Sequence, residues 1–406
     1  MNALPSVFAP TGSDRQASTM TSSTPADTRA LRAWAEVDLG ALERNLTRIR
    51  RRLPAHVHYI AVVKADAYGH GLSAVVSRML KSGVDAFGVA NVQEAIRIRE
   101  QGIALPVLIL SPVLPEEVPS LFEHHLTPFV SSLEELRHLR LRAQERRRAI
   151  SVHLKVDTGM GRAGFWHEEP VEKTLRAFGT DPWLRITGIA THFSCASSDR
   201  AHTELQRQRF GHWLERYEKA GGPLSPELWI HESASFSLPE AWENSPDTAV
   251  RIGALQYGIG SECQLPLIRS LALEPVLGFH SRISLLKMLP AGVPIGYDAM
   301  ATTGRPTRLA VLGAGYADGI STHASNVAEV LVHGQRFRVL GRVAMDQTLL
   351  DVTEAKTPIQ VGDRATWIGR DGEDELTANE FCRWSRRLIR EGLCSISARV
   401  RRVYVG

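Results

Sequence analysis

What most restricts the fold of this chain is a repeated change of hydrophobic period along residues 31–271. Short β-rich runs near residues 34–39, 59–63, 86–90, 106–110, 128–131, 151–157, 185–191 and 228–231 alternate with segments whose apolar residues recur every three or four positions. Leu42, Leu46, Ile49 and Leu53 share one helical face, and Leu72, Val75, Val76, Met79 and Leu80 share another. Continuous apolar strands are those buried on both faces of a parallel sheet, and amphipathic helices cover such a sheet. Roughly eight strand-plus-helix units predict a parallel (β/α)8 barrel, with a doubly wound sheet as the competing arrangement.

One pattern belongs to the competitor: Gly159, Gly161 and Gly164, in D-T-G-M-G-R-A-G, spell G-x-G-x-x-G. They lie mid-chain, with no β-α-β frame and no ribose-binding acid at the expected distance, so no dinucleotide site is assigned. Past residue 272 the texture changes to β-rich runs at 276–285, 307–312 and 337–340, with helical periods only near 375–388. The chain is therefore divided into a barrel over 31–271 and a mainly β domain over 272–406. Residues 1–30, rich in Ser, Thr, Pro and Ala, read as a disordered extension without the apolar core of a signal peptide.

Composition narrows the partners. The net charge of +4 is small for 406 residues. The arginines at 50–52 and 146–148 fall on or beside predicted helices as solvated faces, so no nucleic acid is expected. No run reaches the ~20 apolar residues of a membrane span. Cys195, Cys263, Cys382 and Cys394 lack zinc or disulfide-scaffold spacing, which favours a reducing compartment and a cytoplasmic location. His192, Cys195 and His202 have no acidic partner, and no metal site is expected.

The chemistry gathers first at A-V-V-K-A-D-A-Y-G-H-G, residues 61–71, where Lys64 ends a strand and a glycine-flanked turn follows. Read alone, Lys64 is either consumed chemically as a Schiff base or sends its ammonium to solvent. Arg162 is either a carboxylate fork or a surface-loop arginine, and His192 either a catalytic group or a hydrogen-bonded core residue. Tyr297 and Tyr316, by themselves, are strand residues with interfacial hydroxyls.

V-V-K-A-D-A-Y-G-H-G resembles the pyridoxal-phosphate lysine signature of the alanine racemase family, and later segments are similar to the family in order, over about residues 31–406. The resemblance implies a racemase that interconverts L- and D-alanine by two bases, supplying D-alanine to peptidoglycan. Lys64 then anchors pyridoxal phosphate and serves the D side. Tyr297, in V-P-I-G-Y-D-A-M, serves the L side from the opposite subunit of a head-to-tail homodimer. Tyr68, Ser235 in H-E-S-A-S-F-S, and the backbone at Gly253 and Ala254 hold the phosphate. His192, in G-I-A-T-H-F-S, packs against the pyridine ring. Arg251, in V-R-I-G-A-L-Q-Y-G, faces the ring nitrogen and keeps it unprotonated, because a guanidinium does not readily give up a proton. Fold relatives that decarboxylate amino acids place an acid there instead. Arg162 meets the substrate carboxylate, positioned by Lys155 if that lysine is carbamylated. Tyr316 and Met345 line the entrance.

Three positions depart from the family: Ala234 stands where an asparagine is usual, Ala398 where a tyrosine is common, and Ala344 where a cysteine is common. Each removes bulk or a polar group, and one methylene of pocket space is worth about 1–3 kcal/mol of discrimination. A broad-specificity or serine racemase is therefore an alternative. A pyridoxal-phosphate carrier without racemase activity is another, weighed against by residues 272–406 and Tyr297.

Overall fold

The computed structural model describes residues 28–170, 175, 178, 181–222, 228–233 and 248–406. The chain enters through β1 (Ala33–Asp38) and then builds a closed parallel barrel. Its strands are β2 (His58–Val62), β3 (Ala86–Val89), β4 (Val107–Ile109), β5 (Thr127–Val130) and β6 (Ile150–Asp157). A short β7 (Phe165–Trp166) lies beside β6 and outside the ring. The circle is completed by β8 (Leu184–Ala190), β9 (Trp229–Ser233) and β10 (Ala249–Ile252), with β10 pairing back onto β2.

Every residue of β3, β4 and β10 is buried, as expected of strands covered on both faces. Ile60, Ala86, Leu108, Phe129, Ala190 and Ala249 fill the barrel interior as a small core of their own. The larger core lies outside it, between strands and helices. Leu39–Arg52 shows how those helices are specified: Asp38 caps it by accepting from the Ala41 N–H at 2.8 Å, and Leu42, Leu46 and Ile49 turn inward.

The second domain is a mainly β unit. Its strands are β11 (Leu277–Leu289), β12 (Pro294–Ile295), β13 (Ala301–Thr302), β14 (Thr307–Leu312), β15 (Glu329–Val332), β16 (Gln335–Arg338), β17 (Thr348–Asp351), β18 (Arg364–Asp371), β19 (Asp374–Leu376) and β20 (Arg401–Val405). All except the β12–β13 ribbon join one sheet, and β1 joins them, antiparallel to β11 and parallel to β20.

That placement corrects one step of the sequence reading. The run at 34–39 is a strand, but it does not open the barrel; the eighth barrel strand is β10, whose four residues include Arg251. An apolar run looks the same whichever sheet buries it.

Candidate active site

The C-terminal ends of β2, β4, β5, β6, β8 and β10 surround one cavity of about 740 Å³. Lys64, Tyr68, Lys155, Arg162, His192, Arg251, Gly253 and Ala254 all line it. The sequence singled out these eight; the fold brings them together. Ser235 and its neighbour Ala234 lie outside the described residues.

Lys64 lies two positions after the end of β2. After it, Ala65, Asp66, Ala67 and Tyr68 all adopt left-handed backbone, with φ between 53° and 56°. L-residues resist that conformation by roughly 1–2 kcal/mol each. The turn is therefore held from outside: Glu94 accepts the Ala65 N–H at 2.6 Å through one oxygen and the Ala90 N–H at 2.9 Å through the other. The Asp66 carboxylate accepts from Leu72 at 3.0 Å. Burial, then the charge of Arg162, depress the Lys64 ammonium against the pull of Glu94, which raises the fraction of free amine. Tyr68 is carried by the same turn. Its hydroxyl sits where a Cβ on Gly253 would lie only 2.5 Å away, so the glycine leaves a cradle for the phenol and for whatever it binds.

Arg251 is 5% exposed and forms the far wall. Its guanidinium donates to Nδ1 of His231 and to the carbonyl of Thr191, and lies 5.5 Å from the Phe129 ring centroid. His231 Nε2 is 2.9 Å from His153 Nδ1. Burial first and Arg251 second push His153 down to about 3 and His231 well below its ordinary value, so both are neutral. Burial, followed by Arg251, Lys155, Arg162 and Lys64, pushes His192 down to about 2, leaving an uncharged ring on the cavity wall. Lys155 is buried in the same field, and burial, then Arg251, hold its ammonium well below the usual range.

The G-x-G-x-x-G stretch has a local purpose. It wraps the Asp157 carboxylate, which accepts N–H bonds from Gly159 at 2.9 Å, Met160 at 2.8 Å, Gly161 at 3.1 Å and Arg162 at 2.7 Å. Burial lifts the carboxyl, but these donors outweigh it and hold it below the usual carboxylate range. The turn thus closes on the chain's own anion and fixes the backbone of Arg162.

Three predicted residues stand elsewhere. Tyr297, Tyr316 and Met345 are 67%, 45% and 52% exposed on the second domain, away from the cavity wall. They share a surface: Tyr316 and Ala317 donate to the carbonyls of Ala344 and Met345 at 2.9 and 3.0 Å, and Asp298 pairs with Arg342 at 2.7 Å.

Sequence reasoning missed Glu94, His153, His231 and the helix Ile389–Cys394, which contributes Arg390 and Cys394 to the cavity. A signal existed for one of them. His153, Lys155 and Asp157 alternate along β6, and polar residues at period two in a buried strand mark one common face.

Residues 37–261 match the family model for the alanine racemase N-terminal domain, and residues 276–404 that for its C-terminal domain. The alanine racemase of Methylacidiphilum infernorum is 36% identical over 379 residues, 92% of each chain. Among solved structures, alanine racemase from Clostridium difficile 630 aligns with a TM-score of 0.85 at 30% identity, covering 93% of this chain and 96% of that one. The Bacillus anthracis alanine racemase with bound L-Ala-P gives 0.84 at 29%, covering 92% and 95%. Both domain models matched in sequence order, over a barrel whose strand ends carry the signature lysine, place the chain in the alanine racemase family of isomerases.

Proposed function

We propose that this enzyme interconverts L- and D-alanine, using pyridoxal phosphate held by Lys64. The observation that carries the reading is the convergence of Lys64, the Tyr68–Gly253 cradle and Arg251 on one cavity. The donor set fits the cofactor: a partly neutral amine for its aldehyde, a hydroxyl and open backbone for its phosphate, and a permanent cation for its ring nitrogen. When bound, the group withdraws electrons from the substrate Cα and so acidifies its proton.

The protein's own part is to move that proton. Lys64 is assigned to one face of Cα, and inversion requires a second acid–base group on the other. Tyr297 does not reach its own cavity, so the second group is assigned to Tyr297 of the partner subunit in a head-to-tail homodimer. Arg162 is assigned to the substrate carboxylate. The Lys155 amine, its ammonium disfavoured by burial and by Arg251, suits carbamylation by carbon dioxide, which with loss of a proton sets a negative charge beside the two guanidinium groups. Four free cysteines among the described residues suit the cytoplasm, where D-alanine feeds peptidoglycan.

Purified protein supplied with pyridoxal phosphate is expected to interconvert the alanine enantiomers. Lys64→Ala and Tyr297→Phe subunits, each inactive alone, should regain activity on mixing. Failure of alanine racemisation would overturn the reading; failure of mixing after verified subunit exchange would overturn site sharing. A broader substrate range is a second outcome of the same assay run with serine, lysine and arginine. Ala398 favours it, being a small exposed residue beside Arg399, which contacts the Tyr316 turn.

A further inference from the structure

The left-handed turn that carries Lys64 and Tyr68 has a third support, and it comes from the other domain. Arg402, in β20, donates through Nε to the carbonyl of Gly69 at 3.0 Å. Its Nη1 reaches the carbonyls of Ser397 and Val400 at 2.6 and 2.8 Å, and its Nη2 that of Ile396 at 2.7 Å. One guanidinium therefore ties the residue after Tyr68 to the backbone segment that leads into β20. The same region fills the space beside the turn's glycines. A Cβ on Gly69 would lie 2.6 Å from the Leu393 carbonyl, and one on Gly71 would lie 2.0 Å from the Tyr404 hydroxyl.

We propose that Arg402 is a positioning residue for Lys64 and Tyr68, locking their turn against the β domain through Gly69. It touches neither reacting atom. Four left-handed L-residues oppose the turn, so what holds Gly69 sets how long Lys64 and Tyr68 stay oriented. All four acceptors are main-chain carbonyls spread around a planar fork, a geometry a lysine ammonium cannot span. What Lys64 does chemically rests on the racemase reading; that Arg402 holds the turn does not.

The test is amide hydrogen exchange, followed by mass spectrometry, on the full-length protein without substrate. In Arg402→Ala, peptides covering residues 65–72 should exchange about tenfold faster or more, while β3 to β6 keep wild-type protection. Arg402→Lys, which keeps charge and most of the volume, should show the same local loss in case the alanine variant folds poorly. Reduction with borohydride should trap added pyridoxal phosphate on Lys64 more slowly in both variants. Unchanged exchange at 65–72 in a folded variant, or an equal rise across the barrel, would overturn the proposal. Because exchange is read without turnover, it stands or falls apart from the alanine assay.

Discussion

Nη1 of Arg251 donates to Nδ1 of His231, and Nε2 of that same ring stands 2.9 Å from Nδ1 of His153. A guanidinium offers no lone pair, so His231 must accept at Nδ1 and carry its proton on Nε2, which then donates to His153. Both rings are expected as neutral Nε2–H tautomers in a 15N spectrum of labelled protein; a proton on either Nδ1 would contradict the chain of donors. His231→Phe removes an acceptor from a buried cation and should lower stability to urea by about 1.5–3 kcal/mol.

Gly253 and Tyr68 give a prediction that can be isolated. A methyl group at Gly253 would collide with the Tyr68 hydroxyl, 2.5 Å away, and drive it out of the cradle. Gly253→Ala should weaken pyridoxal-phosphate binding about tenfold in a fluorescence titration. In a Tyr68→Phe background the oxygen is already gone, and the added loss should shrink to nearly nothing. Full additivity would show that the glycine acts by some other route.

Stability should fall on mild acidification. Burial, the largest cause in each case, pushes His70 down to about 4 and His153 and His280 down to about 3. Their folded values lie below the ordinary value of 6.5, so between those limits the unfolded chain binds protons that the folded one refuses. The stabilising contribution is complete above the ordinary histidine value and is lost as pH drops toward the folded values. Each such group contributes a slope of up to about 1.4 kcal/mol per pH unit. Urea midpoints at pH 7 and pH 5 check this; equal midpoints would mean these rings charge without unfolding.

Arg399 offers a prediction about the exposed face. It binds Asp318 and Asp346 at 2.7 Å each, two positions after Tyr316 and one after Met345. Half-exposed ion pairs add little stability, but Asp318 is buried, so removing the arginine leaves a poorly paired carboxylate. Arg399→Ala should cost about 1 kcal/mol in unfolding and raise KM for alanine several-fold with a smaller change in kcat. A wild-type KM in the variant would remove the arginine from any role in placing Tyr316 and Met345.

The barrel could be read because most of its strands are short, largely apolar runs and its helices keep a 3.6-residue period. Which sheet a strand enters could not, and β1 shows why: Trp34 and Val37 are buried equally well by the second sheet. β10 escaped notice because it is only four residues long with an arginine inside it. Lys64 was found because motif and strand end coincide, whereas Lys155 and Arg251 were found through the family segments that hold them. His231 and Glu94 were not, since each acquires its meaning from a partner distant in sequence, His153 for one and Ala65 for the other. The three exposed residues of the second domain were legible only through the family resemblance, because a single chain does not bring them to the cavity.

The pairing of β1 also dictates a timetable. During synthesis Trp34 leaves the ribosome long before its parallel neighbour Arg401. The barrel strands can find one another as they emerge, but β1 must wait for β11 and then for β20. Until β11 is made, the nascent chain therefore carries a strand with both edges open and Trp34 uncovered, a natural target for chaperones and a hazard in any prematurely terminated product.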